Sequence, residues 1–288
     1  MSVLVTGATG TVGRSVVARL ARSGLAVKAM ARRPGRVEFP SGVIPVAADL
    51  DDRGAVRAAL AEVDRVFLLT TGPQGPRQDR IVAEAAALAG VDHVVKLSVL
   101  GISEGADDPI TRWHREGEEA VQQSGLAHSF LRAGGFMSNT LAWASAIAEY
   151  GTVETPFADL PFAAIAPEDI ADVAAALLTG RPSGGTNYAL AGPETITPRE
   201  QAAVLADLLD TAVRVVDLDP DRARERMVGY GMPPETATAV LATLAGPAHG
   251  YGRTPTKDVE SVTGKPATTF REWAAAHIAE FHDPAPAW

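Results

Sequence analysis

The 288-residue sequence has no cysteine, only four lysines (Lys28, Lys96, Lys257 and Lys265) and few aromatic side chains, 6% of the total. Without cysteine there are no disulfides, thiolate zinc sites, cysteine-held iron–sulfur clusters or cysteine nucleophiles. No apolar run approaches the roughly 20 residues that span a bilayer, so no membrane partner is expected. Basic side chains number 26 against 35 acidic ones, a formal charge of −9. Over most of the surface that charge repels phosphates, which argues against nucleic acid as a partner. Neither a basic n-region nor a small-residue cleavage site precedes the first apolar segment, Val3-Leu4-Val5, and the expectation is a soluble, cytoplasmic protein. Several catalytic signatures are also missing. Tyr150, Tyr188, Tyr230 and Tyr251 all lack a lysine four residues later, so no Tyr-x-x-x-Lys pair is available for proton transfer. H-E-x-x-H and the Walker lysine are absent too, and no metal site is expected.

What is present is a rhythm. Hydrophobic content of 46% is ample for a core. Short β-branched runs at Val3–Thr6, Ala26–Ala31, Ile44–Ala48, Arg65–Thr70, His93–Leu97 and His128–Leu131 read as strands. Ala-rich stretches at Val12–Ser23, Gly54–Ala61, Asp79–Ala89 and Arg112–Ser124 read as the helices between them. Strands alternating with helices of about ten residues predict βαβ units and a doubly wound parallel sheet with helices on both faces. From about Tyr150 the pattern changes. Helices are predicted from Pro167 through Leu178 and near Pro198–Leu209, Asp219–Val228, Glu235–Leu244 and Phe270–Phe281, with one strand at Asn187–Ala191. The expected organisation is a Rossmann-like α/β domain over 1–150 and a smaller, mostly helical substrate-binding region over 151–288 that does not fold alone. The 284–288 end reads as a frayed tail.

Between the first strand and first helix runs Thr6-Gly7-Ala8-Thr9-Gly10-Thr11-Val12-Gly13. Gly7 suits a tight turn, Gly10 lets backbone approach a pyrophosphate, and Gly13 permits close helix–strand packing. The helix start then offers free N–H groups and a positive dipole end to the anion, so Gly7, Thr9, Gly10, Thr11, Val12 and Gly13 are candidate cofactor contacts. The second strand ends in Arg32-Arg33, where an NAD-binding chain usually has a carboxylate for the ribose 2′-hydroxyl. A guanidinium binds a 2′-phosphate that a carboxylate would repel, so NADP(H) is expected over NAD(H). Asp49-Leu50 suits the adenine ring, or Asp49 caps the next helix. Thr70, Thr71 and Gly72 end the fourth strand, at the edge where ligands sit in open α/β sheets.

With Lys96-Leu97-Ser98, His114-Arg115-Glu116-Gly117-Glu118, Ser124-Gly125-Leu126, the run from Leu131 to Asn139 and the Pro167-Glu168-Asp169-Ile170-Ala171 helix start, these motifs resemble the NmrA-like atypical short-chain dehydrogenases/reductases. The resemblance covers nearly the whole chain and is nearest the NAD(P)H:quinone oxidoreductase branch. It implies that His114 occupies the position where isoflavone-reductase-like relatives carry a proton-transferring lysine, eleven residues before Gly125. Histidine titrates near neutral pH and can give or take a proton; it can equally pair with Glu118 one helical turn on. The resemblance also implies that Ser98 hydrogen-bonds a substrate carbonyl, although a strand-end serine can simply cap a turn. Lys96 shares the sheet face of Ser98 and is assigned no chemistry. Gly134, Gly135 and Phe136 match the family segment that passes the nicotinamide, and Phe136, Met137, Trp143 and Phe157 are candidates to line a substrate pocket.

The expected function is hydride transfer from NADPH to a small electrophile such as a quinone or conjugated carbonyl. A ketone, imine or enone reductase of a secondary-metabolite pathway would carry the same signature. A nonenzymatic NADP(H) sensor is the third expectation, favoured by the missing Tyr-x-x-x-Lys. The assembly is expected to be a monomer or homodimer.

Overall fold

Seven of the apolar segments pair side by side, all parallel, in a computed structural model that describes residues 1–181 and 184–282; the 284–288 end lies outside the described residues. In chain order these strands are β1 (Ser2–Val5), β2 (Ala26–Ala31), β3 (Ile44–Ala47), β4 (Arg65–Leu68), β5 (His93–Val99), β6 (His128–Ala133) and, after the short β7 (Thr152–Thr155), β8 (Thr186–Leu190). Their spatial order is β3-β2-β1-β4-β5-β6-β8. In register, Val5 of β1 lies beside Ala29 of β2 and Phe67 of β4. Growth of the sheet therefore reverses direction between β1 and β4, which opens a crevice at their carboxyl ends. The doubly wound fold read from the sequence is the observed one.

Side-chain alternation assigns the two faces. Val3, Val5, Phe67, Val95 and Leu97 meet α1 (Thr11–Arg22) and, further along the chain, α7 (Pro167–Thr179). Leu4, Leu68, Val94 and Phe130 meet α2 (Arg53–Ala59), α3 (Gly75–Ala89) and α5 (Pro109–Gln123), which follows the one-turn α4 (Gly101–Glu104). Period-two strands sandwiched between amphipathic helices account for both clusters. Arg65, buried at the start of β4, donates to the carbonyls of Leu178 and Gly180 (both 2.6 Å), satisfying the orphan carbonyl end of α7.

The expected boundary near residue 150 is not a boundary of the sheet. Both α7 and β8 come from beyond it and complete the α/β layer, because Ile170, Val173 and Leu178 carry an apolar stripe that only the sheet can bury. What stands apart is a smaller body. It comprises α6 (Ala144–Tyr150), the parallel pair β7 and β9 (Arg214–Asp217), α8 (Pro198–Leu208), α9 (Pro220–Gly229), α10 (Pro234–Leu244), α12 (Phe270–Ala276) and α13 (Ile278–His282), whereas α11 (Asp258–Thr263) packs through Val259 into the α/β core. Met137, Ile147, Leu205, Phe270 and Trp273 form its core. The segment before α11 runs along β8: Asp258 accepts from Ala189 N (2.7 Å), and Thr256 bonds both Ala189 O (2.6 Å) and Ala191 N (2.9 Å). Among the described residues no helix is long and apolar enough to cross a membrane.

His93 opens β5, fully buried, with Nε2 3.1 Å from Ser129 Oγ. Burial, helped by the charges of Arg65 and His128, pushes its pKa down to about 4. A histidine neutral in the fold but titrating at about 6.5 when unfolded adds stability above pH 6.5 and loses it as the pH falls toward 4. Urea unfolding should therefore report a decline of about 1.4 kcal/mol per pH unit below 6.5 for each such histidine. A His93→Asn variant should lose one histidine's share of that slope; an identical slope would reject the assignment.

Candidate active site

The crevice between β1 and β4 is built by backbone. Gly7 follows β1 with φ 62°, a conformation that side chains resist. A Cβ on Gly13 would overlap the Gly7 carbonyl oxygen, so only glycine lets the first turn of α1 sit against the loop. Ala8 N donates to Met30 O (3.1 Å) and Gly10 N to Gly7 O (3.0 Å), which fixes the loop between β1 and β2. Gly10 is the N-cap of α1; no side chain caps the helix and no acidic residue occupies its first turn. Thr9, Gly10 and Thr11 are accessible, whereas Val12 and Gly13 are buried beneath them. This cradle fits a dinucleotide pyrophosphate, since the uncapped N–H groups and dipole end face the open side.

At the end of β2, Arg32 and Arg33 are exposed, and among the described residues neither side chain makes a hydrogen bond or ion pair. After β3, Asp49 is exposed and accepts from Asp51 N (3.0 Å). The helix-capping alternative falls instead on Asp52, which accepts from Gly54 N (2.8 Å) and Ala55 N (3.0 Å). Asp49 thus stays at the sheet edge with Leu50 half-buried beside it. Thr6 ties the ends of β1 and β4 together: its hydroxyl donates to Leu69 O (3.1 Å) and accepts from Leu69 N (2.8 Å). Beyond that tie, Thr71 is exposed and Gly72 turns the chain with φ 75° into α3.

His114 enters from α5, whose N-terminus is capped by Asp108 accepting from Thr111 N (3.1 Å). It lines a small recess with Thr70, Thr71, Gly72, Gly75, Asp79 and Trp113. The structure thus brings His114 to the β4 edge, together with Trp113 and Asp79, which the sequence did not single out. Burial, and then the nearby positive Lys96, pushes the His114 pKa down to about 3, with Asp108 opposing weakly. The imidazole is neutral across the physiological range, not a group that titrates near pH 7. It does not pair with Glu118, because that carboxylate is engaged elsewhere. Ser98 Oγ donates to Glu118 Oε1 (2.6 Å), and Arg132 grips both carboxylate oxygens through Nε (3.0 Å) and Nη2 (2.6 Å). Ser98 is 2% exposed and its proton is spent on Glu118, which corrects its expected role as donor to a substrate.

Gly134 and Gly135 follow β6; Gly134 N donates to Leu190 O (2.9 Å), and Phe136 bridges to Ile165 and is half-buried. Met137 is fully buried among Ala144 and Ile147, so it builds the core of the smaller body and cannot line a pocket. Trp143 packs against the same core, and Phe157 sits in the turn after β7 with φ 58°. None of Phe136, Met137, Trp143 and Phe157 lines the His114 recess.

Residues 7–181 match the NAD(P)H-binding family. The (4-alkanoyl-5-oxo-2,5-dihydrofuran-3-yl)methyl phosphate reductase of Streptomyces griseus is 44% identical over 281 residues, 97% of this chain and 99% of that protein. The NAD(P)H azoreductase of Xenophilus azovorans is 37% identical, covering 97% and 99%. Among solved structures, the NADPH-dependent quinone oxidoreductase of Escherichia coli complexed with NADPH superposes with a TM-score of 0.83 at 26% identity, over 96% of this chain and 99% of that one. An open crevice at the strand reversal, an uncapped glycine-rich helix start and full-length kinship to reductases converge: the chain belongs to the NAD(P)H-binding family and is an NAD(P)H-dependent reductase.

Proposed function

We propose that the protein is an NADPH-preferring reductase whose substrate is a conjugated carbonyl or quinone. The observation that carries this reading is the neutral His114 in a recess at the carboxyl edge of β4, beside the cofactor crevice. When bound, the nicotinamide supplies hydride to the electrophilic carbon. The electron pair displaced from the π system collects on the carbonyl oxygen. A neutral imidazole N–H directed at that oxygen stabilises the developing charge without transferring its own proton. Water then gives the proton that completes the product. The Streptomyces relative supports this substrate class, since an alkanoyl-substituted 5-oxo-2,5-dihydrofuran is a conjugated carbonyl. Quinones and azo groups, named for two other relatives, are likewise electron-poor π systems. Coenzyme preference is supported by the two free guanidiniums where a carboxylate would otherwise meet the ribose.

Three outcomes follow from these assignments. NADPH oxidation measured against a panel of quinones and 2-acylbutenolides should accelerate with at least one member; tight NADPH binding with no acceleration by any acceptor would defeat the reading. Arg32→Glu should weaken NADPH at least tenfold in a fluorescence titration, the scale of one lost charge-assisted hydrogen bond, while NADH binding hardly changes. Equal losses for both coenzymes would reject contact with the 2′-phosphate. His114→Ala should lower kcat roughly a hundredfold with NADPH affinity kept. Because the neutral imidazole is the active form, the parent's kcat should show no inflection from His114 between pH 5 and 8, activity being lost only as the pH falls toward 3. Full turnover by the alanine variant would remove His114 from the reaction.

A further inference from the structure

β5 carries a lysine inside an otherwise apolar run, and Lys96 is fully buried. Its Nζ lies 2.7 Å from Oδ2 of Asp79 on α3, which is 1% exposed, and it makes no hydrogen bond to any other group. Thr70 Oγ1 donates to the second carboxylate oxygen (2.9 Å). Above the pair, α5 presents Gly117: a Cβ there would overlap Asp79 Oδ2 and come within 3.1 Å of Lys96 Cε. Gly117 lies three residues after His114, nearly one turn along the same helix, and Asp79 and His114 line one recess. A buried ion pair of this kind returns little stability compared with apolar side chains of equal volume, because both charges must be stripped of water. The arrangement instead sets a fixed charge pair against α5, with Asp79 lining the same recess as His114.

We propose that Lys96, clamped by Asp79 under Gly117, is a positioning residue for His114: its buried charge keeps the imidazole uncharged, so that His114 acts on the substrate as a hydrogen-bond donor and not as a proton source. The inference rests on the reading of His114 as the group that meets the substrate oxygen. The charges that act on the ring are Lys96 from β5 and Asp108 from the turn before α5, and Asp79 from α3 lines the same recess. Asp108 stays anionic; burial raises its pKa, but hydrogen bonds from Thr111 and Thr243 more than reverse that. On α10, which packs on α5, Thr243 is spent on Asp108 (2.7 Å), and Glu235 lines a separate cleft beside Trp113. The Nδ1 of His114 is buried and unpartnered, so no bond of its own fixes its charge state. That leaves the field of Lys96, added to burial, to do so.

The test is an NMR titration of the histidine rings in the full chain, with the His114 signal identified by its loss in His114→Gln. In the parent protein His114 should not titrate between pH 5 and 8. Lys96→Met leaves Asp79 as an uncompensated carboxylate in the recess and should bring His114 into titration above pH 5. Lys96→Met/Asp79→Leu removes both charges, keeps the fold even if the single variant does not, and should raise the midpoint by at least one unit. With an active acceptor, kcat of Lys96→Met should acquire an inflection at the NMR midpoint, and adding His114→Gln should abolish it. An unchanged midpoint in both variants would overturn the proposal, as would a shifted midpoint with an unchanged pH profile of kcat. The titration needs no substrate, so it fails or succeeds separately from the acceptor panel that tests the reductase reading.

Discussion

The carboxyl edge of the sheet depends on how closely the first turn of α1 rests on the carbonyl of Gly7. A single methyl group at Gly13 would lift the helix off the loop. Its uncapped N–H groups would then no longer converge on the crevice, and the stripe of Val16, Val17 and Leu20 would shift against β1. Thr6 holds the other side of the same junction by stitching β1 to the end of β4. From that junction the order of the remaining parts follows: β2 and β3 carry Arg32, Arg33 and Asp49 outward on one side, and β4 leads into the recess of His114 on the other.

Charge is distributed with the same economy. A chain of net charge −9 repels phosphates in general. Around the loop, however, the side-chain charges of Arg32 and Arg33 at the end of β2 are cationic and, among the described residues, unpaired, and the helix end adds a partial positive charge. Inside the sheet the opposite solution applies: the buried Lys96 and the half-buried Arg132 are held against Asp79 and Glu118, each cation matched by one carboxylate within 2.7 Å. Arg32 and Arg33 are left free to meet a ligand, and the paired cations within the sheet are not.

Much of this was legible in the sequence, and the reasons differ by element. Strands β1 to β6 and the glycine loop announce themselves because period-two apolar runs and glycine spacing are local signals. Thr70–Gly72 stood out by their place at a strand end, and His114 through the family resemblance. The pairing of Lys96 with Asp79 joins residues on different elements across the sheet face, and no local pattern encodes it. The one trace it leaves is a lysine amid valines, which demands a buried counter-charge. Ser98 was misjudged because its partner, Glu118, sits twenty residues away on a helix whose other face reads as solvent. Met137 follows a motif that does lie near the site, but its own side chain turns into the core of the smaller body. The boundary at 150 failed because β8 and α7 return to the sheet after an excursion that looks, in sequence, like a new region.

The segment that lies along β8 has a consequence for how copies of the chain can meet. Thr256 and Asp258 occupy backbone groups of Ala189 and Ala191 that an outermost strand would otherwise offer to a neighbour. At the opposite end, Pro45 deprives β3 of one donor. Edge-to-edge extension into a continuous intermolecular sheet is thereby discouraged at both ends, and self-association is left to the outer surfaces of the helices.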